Sequence, residues 1–277
     1  MNTKNQIHKL GFLSLLVLAM LVNILGQAIH EGGHLMVYQL MGRGPVWAFT
    51  SLIQLWDATP IHPDEWVETS WDGERGWLKL NSPVSSKTER VISTAAGPLA
   101  GLVGAVLGLA IARRGKGLPL KQLGLVLALN ASLVAALYYL RSPLRTGGDE
   151  YEIAMQLGVA RSAIDIPLGL AFTLCLFLAL REFPSWRTRL KWFGTVLLGS
   201  VATGLLMVGA DPFIIAQVDA GNPWFQPMLG YSFPVFLVNG MTLLWIWIWC
   251  YWQKKQQMPL EHHQIEEQSK SEELIQS

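Results

Sequence analysis

The chain has 277 residues, of which 51% are hydrophobic and 15% charged. Soluble domains carry about 25% charged residues, so this low share and a mean hydropathy of +0.31 point to lipid as the solvent. The net charge of +1 excludes a polyelectrolyte field for nucleic acid, and two cysteines, Cys175 and Cys250, exclude a disulfide scaffold or a cysteine-type zinc site.

A bilayer is crossed by about 20 apolar residues in a helix. Runs near that length occur at Leu10–Leu40, Val91–Ala112, Leu123–Leu140, Ile166–Leu180, Phe193–Ala210 and Phe233–Trp252. The expected fold is an all-α polytopic membrane protein of about six transmembrane helices, with a small β-hairpin-like extramembrane loop between the first two spans. Residues 1–252 form one membrane-embedded domain, and the polar, mixed-charge stretch 253–277 is expected to be a disordered tail.

The first run has signal-peptide features: Lys4 and Lys9 precede it, and Gly26-Gln27-Ala28 resembles a cleavage site. It is longer than the ~7–15 residues of a signal's apolar region, and cleavage would strand His30 at a new terminus, so a retained helix is expected. The connection 42–90 holds five tryptophans. Within it Val67–Trp71, Asp72-Gly73 and Trp77–Leu80 read as a hairpin with a tight turn, either resting at the membrane interface or lying on the surface. Trp245, Trp247, Trp249 and Trp252 read as an interfacial belt.

Lysine and arginine mark the cytoplasmic side. Arg113, Arg114, Lys116 and Lys121 follow the second span, Arg181, Arg187, Arg189 and Lys191 follow the fourth, and Lys254 and Lys255 follow the last. Residues 211–232 hold none. Both termini are therefore expected in the cytoplasm of a cell in whose plasma membrane the chain resides, with the ends of the first and third spans outside.

The chemistry lies in His30-Glu31-Gly32-Gly33-His34. Residues four apart share a helix face, so the two imidazoles can meet one metal ion, and Glu31 can reach a metal-bound water. Zinc brings the pKa of such a water to about 7, which is why the pattern combines two neutral ligands with one carboxylate that stays off the metal. Ionisable groups inside a span are expensive and mark function by default. The glycines fit either a close helix approach or a substrate passing the backbone.

A catalytic zinc takes three protein ligands. The third is expected from the connection 141–165, which returns to the same membrane face and holds Gly147-Gly148-Asp149-Glu150. Asp149 is the first choice, and Glu150, Glu152 and Asp165 compete with it.

Together these features resemble the site-2 protease family of intramembrane zinc metalloproteases. The resemblance covers about Leu10–Leu157. It comprises HEGGH in a spanning helix, the AGP-type segment Ala95-Ala96-Gly97-Pro98-Leu99-Ala100-Gly101, and the glycine-preceded Asp149 after the next span. The family's third ligand usually lies in a Leu-Asp-Gly context, which differs from Gly-Gly-Asp-Glu here. Its site commonly opens to the cytosol, opposite to the charge reading above.

The resemblance implies hydrolysis of a peptide bond within or beside a transmembrane segment of a membrane protein. His30, His34 and Asp149 would hold one Zn2+, Glu31 would be the general base, and Gly97 and Pro98 would lie beside the substrate or support the site. A hairpin at Val67–Leu80 could pair with an unwound substrate strand. Gly97-Pro98 is expected to begin the second helix, and Gly101, Gly104 and Gly108 to serve helix packing. No inserted regulatory domain fits between the spans, which leaves room for a regulatory membrane partner. The alternatives are a catalytically inactive relative that binds or recruits membrane proteins and a small-solute transporter. The second is disfavoured because no broken helix pair or inverted repeat is evident.

Overall fold

The computed structural model describes residues 10–42, 45–50, 53–56, 67–71, 74–80, 86–142, 147–225, 227–228, 231–232, 240–249 and 251. Helix α1 (Phe12–Leu40) leads into strands β1 (Pro45–Thr50), β2 (Ile53–Trp56), β3 (Val67–Trp71) and β4 (Glu74–Leu80). Helices α2 (Lys87–Arg114), α3 (Leu118–Arg141), α4 (Asp149–Leu157), α5 (Ser162–Arg181) and α6 (Trp186–Asp219) follow. Two-residue strands β5 (Pro227–Met228) and β6 (Tyr231–Ser232) and a helix α7 (Gly240–Trp249) complete the described elements.

Five of these helices are long and apolar enough to cross a membrane, α6 through its portion Trp186–Ala210. At 1.5 Å per residue, even the 20 residues of α5 reach about 30 Å, the thickness of the hydrocarbon layer. The expected sixth span is met only by α7, a shorter apolar helix, while residues 233–239 lie outside the described part. The tail 253–277 and the turn at 72–73 also lie outside it.

Helix α1 packs against α2, α3 and α6, and α3 packs against α2 and α5. Their shared core contains Leu15 and Ala19 of α1, Ala105 of α2, Leu129 of α3, Ala179 of α5 and Trp192 of α6, all buried. The outward faces are apolar as well: Leu13 is 70% exposed, Leu170 65% and Leu205 71%. Such a surface suits contact with lipid, as the length and hydropathy of these helices require.

Because lipid is as apolar as leucine, helix contact in a membrane depends on close approach at small residues. The α2–α3 crossing is backbone against backbone: a Cβ on Gly108 would lie 2.6 Å from the Ala128 nitrogen, and one on Gly124 would lie 2.6 Å from the Ala112 nitrogen. A polar tie adds to α3–α6, where Asn130 Nδ2 donates to Ser200 Oγ at 2.9 Å.

The sequence placed a hairpin between the first two spans, and β3 pairs β4 antiparallel with Trp71 opposite Glu74. The element is larger than expected, a four-stranded sheet in the order β2-β1-β4-β3. A second difference concerns Pro98. Helix α2 begins at Lys87, so Gly97-Pro98 lies well inside it rather than at its start. An interior proline removes the N–H that would have bonded the Thr94 carbonyl. Spanning helices tolerate this where neighbours compensate. A third difference is α4, a nine-residue helix where the sequence reading had only a connection.

Candidate metal centre

The chain reverses at each crossing, so the end of α1, the start of α2, the end of α3 and the start of α4 share one end of the bundle. The four-stranded sheet joins α1 to α2 and so belongs to that end too. His30 and His34 lie one turn apart on α1, with ring centroids 5.0 Å apart and planes at 79°. Asp149 is the first residue of α4. Its position at a helix N-terminus favours the ionised carboxylate.

Three donor atoms converge. His34 Nε2 is 3.3 Å from His30 Nε2, Asp149 Oδ2 is 3.2 Å from His30 Nε2, and Asp149 Oδ2 is 3.4 Å from His34 Nε2. Among the described residues this is the group of His, Cys, Asp and Glu side chains arranged so that it could hold a metal ion. Burial opposes ionisation of Asp149. The hydrogen bonds from His30 and His34 outweigh it and hold the carboxyl well below the usual carboxylate range.

The ring of His34 is fixed from behind. Its Nδ1 lies 2.8 Å from the Ser93 carbonyl oxygen, which can only accept, so Nδ1 carries a proton and Nε2 is the nitrogen turned to His30 and Asp149. This is the arrangement in which outer partners orient metal-ligating histidines. Glu31 is half-buried on α1 beside His30.

Gly97 explains how α2 comes so near. A Cβ there would fall onto the edge of the His34 ring and 2.8 Å from His30 Nε2. Gly33 is pressed against α2 one step away, where a Cβ would lie 2.6 Å from the Ala96 carbonyl and 2.7 Å from Ala100 Cβ. Gly32, its chain neighbour, has nothing within 4 Å of the corresponding position among the described residues. Pro98 is buried in the same stretch of α2.

Of the residues singled out from sequence, His30, His34 and Asp149 come together, Gly97 lies directly against the imidazoles, and Glu31 and Pro98 flank them. The competing carboxylates are directed elsewhere. Glu150 bonds the Tyr138 hydroxyl and Arg161, Glu152 accepts from Gln156 Nε2 at 2.8 Å, and Asp165 takes Ser142 and Arg161. Burial raises the Glu150 carboxyl, against the pull of Tyr138 and Arg161. Sequence reasoning missed Ser93, whose contribution is a carbonyl that any residue would supply. It also missed Arg161, a cation that lies in sequence among Asp149, Glu150, Glu152 and Asp165 and belongs to no motif. No known family, curated protein or solved structure matches the chain.

Proposed function

We propose that this chain is a zinc-dependent intramembrane endopeptidase of the site-2 protease type, cleaving a peptide bond within or beside a transmembrane segment of a membrane protein. The observation that carries the reading is the triangle of His30 Nε2, His34 Nε2 and Asp149 Oδ2, with edges of 3.2–3.4 Å. Zinc–ligand distances of about 2.0–2.1 Å in a tetrahedron require donors about 3.3–3.4 Å apart, so the three atoms fit one Zn2+ with a vertex to spare. A spare vertex is what separates a catalytic zinc from a structural one.

Zinc at this site supplies Lewis acidity, acidifying a water and polarising a peptide carbonyl. The remaining work belongs to the chain. His34, its Nδ1–H committed to Ser93, presents a fixed neutral nitrogen, and His30 and Asp149 complete the ligand set. Glu31 takes the proton from the attacking water and returns it to the leaving amine, so that water's hydroxyl ends on the carbonyl carbon and its proton on nitrogen. A helical substrate must first unwind, because its carbonyls are paired. Strand β3 is an outer strand of the sheet and, among the described residues, offers an edge to such an extended segment.

The orientation belongs to the same proposal. Arg113, Arg114, Lys116 and Lys121, with Arg181, Arg187, Arg189 and Lys191, lie at or just after the ends of α2 and α5, opposite the candidate metal centre. This supports cytoplasmic termini and a site near the opposite face of the membrane.

The test is metal content and cleavage on purified full-length protein. Wild type should hold about one zinc per chain, and His34→Ala and Asp149→Ala should bind it far more weakly and keep little of it through purification, as a three-ligand site requires. Glu31→Gln should keep the zinc while cleavage falls by about 100-fold or more, the share of a general base. A wild type that takes up no zinc would sink the reading.

A further inference from the structure

Arg161 stands just before α5, outside the ligand set, and its guanidinium reaches back over the segment that carries Asp149. One amino group donates to the Gly147 carbonyl at 3.0 Å and also to Glu150 Oε1. These acceptors bracket Asp149, one two residues before it and the other immediately after. The Glu150 side chain is 1% exposed and also accepts from the Tyr138 hydroxyl, at 2.9 and 3.0 Å to its two oxygens. Arg161 Nε lies 3.2 Å from Asp165 Oδ2, which Ser142 Oγ also bonds.

The segment between the two anchor points has one soft position, and it is filled. Gly148 sits at φ +104°, where a side chain is strained, and a Cβ there would strike the Tyr138 hydroxyl. The segment cannot turn without breaking charge-assisted bonds that are individually stronger than neutral ones. A buried carboxylate–guanidinium pair is a poor choice for stability alone, since apolar residues of similar volume usually do as well or better. A planar guanidinium that holds two acceptors of the segment through one amino group while its Nε meets Asp165 is a good choice for geometry.

We infer that Arg161 is the positioning residue for the third metal ligand: it fixes the Gly147–Glu150 backbone so that the Asp149 carboxylate meets the two imidazoles. The inference rests on the zinc reading above. The contacts of Arg161 with Gly147, Glu150 and Asp165 lie outside the ligand set, and it acts on the site through Asp149. Tyr138 supports it by holding the far side of Glu150.

The experiment measures Zn2+ affinity by chelator competition on the full chain in lipid nanodiscs, with the visible spectrum of the Co2+-substituted protein as a second readout. Arg161→Gln should weaken Zn2+ by ~10–100-fold, the usual effect of losing an outer-shell partner, and move the Co2+ spectrum toward that of Asp149→Ala. In an Asp149→Ala background the same substitution should change neither. Arg161→Lys should not restore affinity, because an ammonium bonded to Gly147 and Glu150 has no second nitrogen to meet Asp165 and fix its direction.

Unchanged affinity in Arg161→Gln overturns the inference. So does an equal loss with and without Asp149, which a merely structural role would give. Should Arg161→Gln fail to fold, Tyr138→Phe removes a single hydroxyl from the same carboxylate. It should show a smaller, Asp149-dependent loss, and full affinity there overturns the inference as well. Wild-type protein without Zn2+ affinity removes the zinc reading and this one together, whereas full affinity in the variants removes this one alone.

Discussion

The imidazoles of His30 and His34 rest on the backbone of α2 at Gly97, so the smallest side chain there decides whether the rings keep their places. Alanine would put a methyl where the His34 ring edge now lies. The ring is the far end of a side chain and can swing aside, so Gly97→Ala should leave the fold intact. It should nevertheless cut zinc affinity by about 10-fold or more, a loss of the order seen when ligands are misdirected. Chelator competition beside a thermal melt separates the two effects. A parallel drop in melting temperature would mean that Gly97 serves packing instead.

At this scale the legible part of the site is the part made of side chains at fixed spacing. His30 and His34 followed from a helix repeat, and Asp149 from tracing which connection returns to their end. The Ser93 carbonyl was invisible because a backbone group carries no residue signature. Arg161 was invisible because its acceptors, Gly147 and Glu150, are brought to it only by the turn into α4.

Elements were read best where local chemistry punctuates them. The pairing of β3 with β4 was announced by Asp72-Gly73 between two apolar runs, whereas β1 and β2 lack so plain a turn signal. Helix α4 had its own signals. Asp149, Glu150 and Glu152 crowd its first turn, and Gly158 closes it at φ +71°, with Val159 N–H donating to the Ala154 carbonyl at 3.1 Å. Pro98 misled because a proline normally opens or ends a helix in water, and α2 carries it inside. The expected packing role of the α2 glycines holds most firmly at Gly108, which meets α3 at Gly124 in mutual backbone contact. Neither backbone can yield like a side chain, so Gly124→Ala should destabilise by ~1–3 kcal/mol, the range for overpacking. Reversible unfolding in detergent reads this, while zinc affinity of the folded fraction should stay near wild type.

The whole molecule has two unlike ends. One gathers the basic connections and ties them down: Arg113 Nε donates to Glu182 Oε1 at 2.7 Å, and Lys191 Nζ donates to the Leu10 carbonyl at 2.9 Å. The other holds the candidate metal centre, α4 and the sheet. Under the proposed orientation, an impermeant maleimide on intact cells should label Val159→Cys, which lies at the site end and is 44% exposed. It should spare Lys116→Cys until the cells are opened. The reverse pattern would turn the molecule over, while leaving the metal centre as described. Composition and span lengths made the membrane bundle legible, but no local signal gives the tilt and crossing that bring α2 onto α1.

Gly32 and Gly33 are neighbours in the chain and opposites in their surroundings. The sequence offered two uses for the pair, a close helix approach or a passing substrate, and the fold divides these between the residues. Gly33 is walled in by Ala96 and Ala100, while Gly32 meets nothing among the described residues. Helix α1 at the metal centre therefore has a back and a front. Under the proposed function, a substrate passing the backbone beside Glu31 would come from the Gly32 side, and a methyl at residue 32 would narrow that approach without disturbing the wall at Gly33.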